Sequence, residues 1–143
     1  MASSKHIVDT GPLVALIDAS DQDHSWSKKT LGNLPCPLIT CEAVLSEVLF
    51  LLRRDVAAPQ KINVLFERGL LVSHPIMDLQ YAGVLSLMQT YRDVPMSMAD
   101  ASLVKISEII PSSSIVTLDS DFLIYRRHRN KSIPTLMPPR LRR

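Results

Sequence analysis

The sequence predicts an α/β domain built on a largely parallel sheet. Three observations carry the prediction. Short segments rich in Val, Ile and Leu alternate with longer segments whose apolar residues recur at helical spacing. The connections between them are brief and hold most of the prolines. The chain has 143 residues, 46% of them hydrophobic and 21% charged, which suits one core and leaves little room for a second. Strands that alternate with helices must pair through crossovers, and those crossovers cover both faces of a parallel sheet. No repeat or internal linker interrupts the pattern, so one domain is expected over residues 1–143.

Lys5 to Val8 reads as the first strand and ends in Asp9. Thr10-Gly11-Pro12 then opens a helix carrying Leu13, Val14, Leu16 and Ile17. Pro12 suits a first helical position, where its missing N–H has no intrahelical partner. A second helix begins near Asp23, carries Trp26 and Leu31, and is broken by Pro35 and Pro37. Leu38 to Thr40 is a short strand. Glu42 to Arg54 places Val44, Leu45, Val48, Leu49, Leu51 and Leu52 at helical intervals and ends in two cations that suit a helix C-terminus. Ala57 to Arg68 is a further helix, Leu70 to Val72 a strand, and Asp78 to Tyr91 a helix. Ser97 is a good N-cap for a helix from Met98 to about Ile110, with Asp100 inside its first turn. Ile115 to Leu118 is a β-branched strand that ends at Asp119, and Ile133 to Met137 supplies an edge strand.

Several function classes are excluded early. Arg53 and Arg54 cut short the longest apolar run well before the roughly 18 to 20 residues a spanning helix needs. The N-terminus meets Asp9 before any secretory h-region, so a cytoplasmic chain is expected. Cys36 and Cys41 form no C-x-x-C hook and are expected to be reduced core residues. The four histidines are scattered, which disfavours zinc. No G-x-x-x-x-G-K-[ST] string marks a nucleotide triphosphatase.

Four acids stand in apolar company. Asp9 and Asp119 each follow a short apolar strand, where ligand crevices of parallel sheets lie. Glu47 shares a helix face with Val44, Phe50 and Leu51, and Asp100 lies beside Leu103 and Val104. Ionised carboxylates are seldom buried unless paired or metal-bound. Two of them at ~4 Å repel by about 4 kcal/mol at an effective dielectric near 20. If the four converge, they need a cation. Oxygen ligands without histidine or thiolate favour Mg²⁺ or Mn²⁺, and Mg²⁺ commonly bridges protein carboxylates and substrate phosphates. Bland readings exist for each acid: a helix N-terminal charge for Asp100, a capping or turn acid for Asp9 and Asp119, and an ion pair with Arg53, Arg54 or a distant lysine for Glu47.

Charge is unevenly distributed. Met1 to Asp121 carries nine Lys and Arg against all fourteen acids, a net of −5, whereas Phe122 to Arg143 carries seven basic residues and no acid. An acidic body with a basic end suits a polyanionic or acidic partner, and a solvated tail equally.

Taken in order, these strings resemble the PIN domain, the small nuclease fold of VapC-type toxins. Ile7-Val8-Asp9-Thr10-Gly11-Pro12 resembles its opening strand and turn, and Glu42 to Arg54 its second acidic helix, with the acid at Glu47. Met96-Ser97-Met98-Ala99-Asp100-Ala101 and Val116-Thr117-Leu118-Asp119-Ser120-Asp121-Phe122 resemble its third and closing motifs. The resemblance implies a five-stranded parallel sheet in the order 3-2-1-4-5, with the Asp9 and Asp119 strands side by side. It assigns catalysis to Asp9, Glu47, Asp100 and Asp119, and metal binding to Asp9, Asp100, Asp119 and the auxiliary Asp121. Thr10 and Ser97 would orient the carboxylates. It further implies a homodimer and an antitoxin partner.

The function expected is therefore a Mg²⁺- or Mn²⁺-dependent endoribonuclease of VapBC type. Arg126, Arg127, Arg129 and Lys131, in the basic segment from about 123 to 143, would line the mouth of the site and hold RNA phosphates. The rivals are a PIN-type RNA-processing nuclease without a toxin role, a small-molecule phosphohydrolase, and a non-catalytic module that binds RNA or a protein partner.

Overall fold

The computed structural model describes residues 4–142; Met1 to Ser3 and Arg143, the outermost parts of the expected domain and basic end, lie outside the described residues. The elements run β1 (Lys5–Val8), α1 (Thr10–Ile17), α2 (His24–Gly32), β2 (Leu38–Thr40), α3 (Glu42–Leu51), α4 (Ala58–Glu67), β3 (Leu71–Ser73), α5 (Met77–Thr90), α6 (Met98–Ile109) and β4 (Ser113–Val116). A 3-10 turn at Ser120–Leu123 follows, then β5 (Arg126–Arg127), β6 (Lys131–Ser132), β7 (Thr135–Leu136) and a last 3-10 turn at Pro139–Arg142.

Five strands form one parallel sheet in the order β3-β2-β1-β4-β7. This is the expected order 3-2-1-4-5, with Thr135–Leu136 in the fifth place. β1 lies at the centre and pairs with β4 from Lys5↔Ser113 to Val8↔Val116. The two strands therefore end level, and the chain segments leaving them emerge together. Ile7, Val8, Ile115 and Val116 are wholly buried, as are Leu103, Val104 and Ile106 of α6, which packs on this central pair. Burying a side chain of this kind contributes roughly 1.5 to 3 kcal/mol, so the central strand pair that carries the segments leaving it is firmly held.

Three sequence expectations need correction. β4 begins and ends two residues earlier than hydropathy places it, so Asp119 stands three residues beyond the strand rather than directly after it. Cys36 is exposed, and only Cys41 is a buried free thiol. The basic segment is not a plain tail: Arg126–Arg127 and Lys131–Ser132 form an antiparallel hairpin. Arg140 clasps the buried Asp23 through both guanidinium nitrogens, at 2.6 and 2.9 Å, and so ties the basic end to the start of α2. Among the described residues, no helix is long and apolar enough to cross a membrane.

Candidate active site

Asp9, Glu47, Asp100 and Asp119 line one cleft together with Thr10, Gly11 and Leu118. Each acid arrives from a different part of the fold. Asp9 follows β1 at the N-cap position of α1, yet its carboxyl group does not cap the helix. Its Oδ2 instead accepts the Thr117 hydroxyl at 2.7 Å. The same threonine oxygen accepts the Asp119 N–H at 2.9 Å, so Thr117 links the Asp9 carboxylate to the backbone of Asp119. Gly11 lets the start of α1 approach this segment, since a Cβ there would stand 3.0 Å from Leu118 Cβ.

Asp100 occupies the third position of α6 and forms a capping box with Ser97: the Asp100 N–H donates to Ser97 Oγ at 3.0 Å, and the Ser97 N–H donates to Asp100 Oδ2 at 3.2 Å. Capping therefore accounts for one of its oxygens and does not keep the residue out of the cleft. Ser97 steadies the carboxylate through its main-chain N–H, while its hydroxyl acts as an acceptor. Thr10 donates its hydroxyl to Glu47 Oε2 at 2.9 Å.

Two expected placements differ. Glu47 is exposed, not set against a buried apolar stripe. The buried side of α3 is Val44 and Val48, whereas Phe50 and Leu51 are themselves 63% and 57% exposed. The alternative of an ion pair is not met either: among the described residues Glu47 forms no salt bridge with an arginine or a lysine, and the Arg53 guanidinium lies 4.4 Å from the centre of the Phe50 ring and donates to the Phe50 carbonyl. Asp121 is not among the cleft-lining residues. Its N–H donates to Asp119 Oδ1 at 2.9 Å, and its carbonyl accepts from Ile124 and Tyr125, so it anchors the turn that holds Asp119.

The basic residues do not gather at the mouth. Arg126 donates to the carbonyls of Leu123, Ile124 and Tyr125, and Arg127 to those of Ser107 and Ser113. The His128 N–H meets Glu108. Glu108 lies eight residues from Asp100 on α6, about 12 Å along the axis at 1.5 Å per residue. The hairpin thus runs towards the far end of α6, because the chain turns at Tyr125 and follows that helix back. Arg129 and Lys131 are exposed on it.

Burial dominates the electrostatics of the cleft. Asp9 is 5% exposed, and burial, reinforced by Asp100 and Asp119 and opposed by the Thr117 hydroxyl, pushes its carboxyl up to about 7. Burial likewise raises Asp100, with Asp119 adding to the effect. Among the described residues, no Lys, Arg or His forms a salt bridge with any of the four cleft carboxylates. No three His, Cys, Asp or Glu side chains among the described residues form a ready metal-holding group. The acids line the cleft without closing on one point. Such an open, oxygen-only and uncompensated set fits a hard ion that keeps several of its waters, as Mg²⁺ does, and does not fit zinc.

Thr117 and Tyr125 were missed as contributors. Tyr125 donates its hydroxyl to Asp100 Oδ2 at 3.1 Å from 25 residues away. Thr117 had a signal, as a hydroxyl within an otherwise apolar run between Ile115 and Leu118; Tyr125 had none.

No curated protein sequence matches the chain. Among solved structures, it is similar to VapC20 of Mycobacterium tuberculosis, described as a sarcin-ricin loop cleaving toxin, with a TM-score of 0.70 and 22% sequence identity over 82% of this chain and 92% of that one. At that identity the likeness speaks for the fold. The family model for the PIN domain matches residues 6–127, from β1 through the hairpin's first strand, and so spans the sheet centre and all four cleft acids. The chain belongs to the PIN domain family.

Proposed function

We propose that this protein is a divalent-metal-dependent endoribonuclease that hydrolyses RNA phosphodiester bonds to a 5′-phosphate and a 3′-hydroxyl, and that it is the toxin of a VapBC-type pair. The observation that carries the reading is that Asp9, Glu47, Asp100 and Asp119 line one cleft and that none of them forms a salt bridge among the described residues. Membership of a nuclease family and the fold shared with a toxin described as cleaving the sarcin-ricin loop direct the substrate class to structured RNA. A cytoplasmic homodimer held in check by an antitoxin belongs to the same proposal.

Asp9, Asp100 and Asp119 would hold Mg²⁺ or Mn²⁺, with Glu47 as a further acid of the cleft. When bound, the ion supplies charge to a phosphoryl oxygen and acidifies a water. The chain's own part is orientation. Thr117 fixes Asp9 and the backbone of Asp119, Thr10 fixes Glu47, and the α6 capping box fixes Asp100, so the oxygens are set before substrate arrives. Asp121 holds the Asp119 turn. Arg129 and Lys131 would meet RNA phosphates remote from the scissile one, while Arg126 and Arg127 keep the hairpin folded.

The test is incubation of the purified protein with a pool of structured RNAs in EDTA, Mg²⁺ or Mn²⁺, with mapping of the product ends. Metal-dependent internal cuts bearing 5′-phosphates are expected. Metal binding without any cleavage would favour the non-catalytic module.

A further inference from the structure

We propose that Tyr125 is a positioning residue for the nuclease reaction, its hydroxyl holding one oxygen of Asp100 so that the other is presented to the cleft. The inference rests on the function proposed above. A capping box alone steadies a carboxylate with one main-chain N–H at the helix end. Asp100 Oδ2 has two donors, the Ser97 N–H at 3.2 Å and the Tyr125 hydroxyl at 3.1 Å, and among the described residues Oδ1 has none. Two donors converging on one oxygen from different directions fix the plane of the carboxyl group as well as its position.

The donor is itself immobilised. Tyr125 is wholly buried, with its ring packed edge-on against Phe122 at 5.1 Å and Tyr91 at 5.2 Å. Tyr91 is tied in turn, since its hydroxyl accepts the Arg126 N–H at 3.0 Å. A phenylalanine would fill the same aromatic cluster without introducing a polar atom into it. The hydroxyl therefore does something the packing does not require, and Asp100 is its partner. Groups that orient a metal ligand in this way typically contribute 10- to 100-fold to metal affinity or activity.

The experiment compares wild type, Tyr125→Phe and Tyr125→4-aminophenylalanine, the last restoring a donor at the ring's end. Mn²⁺ affinity is measured by calorimetry without RNA, and kcat and KM on a cleaved RNA. Tyr125→Phe is expected to weaken Mn²⁺ binding and lower kcat by about 10- to 100-fold with KM unchanged, and the amino analogue to recover part of both. A purely structural hydroxyl would lower the melting temperature and leave Mn²⁺ affinity and kcat alone, which overturns the inference, as does failure of the amino analogue to recover either property. Should wild type itself neither bind Mn²⁺ nor cut RNA, the nuclease reading fails first. Wild type active with an equally active Tyr125→Phe sinks only the role of Tyr125.

Discussion

Thr117 donates its hydroxyl to Asp9 Oδ2 at 2.7 Å, and both residues are buried at the carboxyl ends of the central strands. Because the same oxygen accepts the Asp119 N–H, one side chain sets the distance between two acids that lie 110 residues apart in sequence. Thr117→Val keeps the shape and removes both bonds. It leaves the Asp9 carboxyl without its side-chain donor, a loss worth about 1 to 3 kcal/mol for a buried group. Urea denaturation should show that loss, and RNA cleavage should fall by roughly 10- to 100-fold. Wild-type cleavage by Thr117→Val would remove this residue from the site.

Asp100→Asn should abolish cleavage and leave the fold intact or slightly more stable. The asparagine carbonyl oxygen can still accept from the Ser97 N–H and Tyr125, so the capping box and the aromatic cluster survive. Like-charge repulsion with Asp119 disappears, and so does the cost of burying a charge, the main cause of the raised Asp100 carboxyl. Circular dichroism melts paired with product mapping decide the matter: a destabilised variant means that Asp100 chiefly serves α6.

Glu42 and Glu47 share α3 but differ by about 140° around its axis. Glu47 takes the Thr10 hydroxyl in the cleft, while Glu42 lines a separate pocket beside His74 and Asp78. Glu47→Gln is expected to cost at least about tenfold in cleavage, and Glu42→Gln to leave it unchanged. Equal effects of the two changes, read in one RNA assay, would show that charge on the helix matters and position in the cleft does not.

The contrast between these elements explains what was legible beforehand. Strands such as Leu38–Thr40 and the Ser97–Asp100 cap follow from local preference, and a reader of the sequence finds them. The start of β4 does not, because its register is set by its partner: β1 supplies pairing only from Lys5 to Val8, opposite Ser113 to Val116, and Thr117 and Leu118 run on past its end. The hairpin was hidden for another reason. Its strands are two residues long, and its turn puts His128 and Arg129 at positive φ, where Asn-Gly would have announced it. Glu47 is not legible as an exposed residue because helical spacing sets it beside Phe50 and Leu51, and hydropathy does not show that those two side chains are themselves exposed. The acids of the cleft were readable as residues out of place. Their supports were not, since Thr117–Asp9 and Tyr125–Asp100 are contacts made only by the folded chain.

Asp9 gives the molecule a pH dependence of definite sign. Burial lifts its carboxyl from 3.8 to about 7 in the folded protein, so between those values the native state holds a proton that the unfolded state has lost. Stability then falls as pH rises: the contribution is fully present below the unfolded value and is lost as pH climbs through about 7. Other groups titrate too, and burial lowers His6, which acts in the opposite sense. Asp9→Asn isolates the effect, because the difference in unfolding free energy between wild type and variant contains Asp9 and cancels His6. In metal-free buffer, wild type should lose ground to Asp9→Asn steadily from pH 5 to about pH 7 and level off above it. Added Mg²⁺ should reverse the loss at the upper end, since an ion that binds the ionised cleft stabilises only the native state. A flat difference across that range would show that the Asp9 carboxyl is not raised, and a flat difference that also ignores Mg²⁺ would remove Asp9 from the proposed metal site.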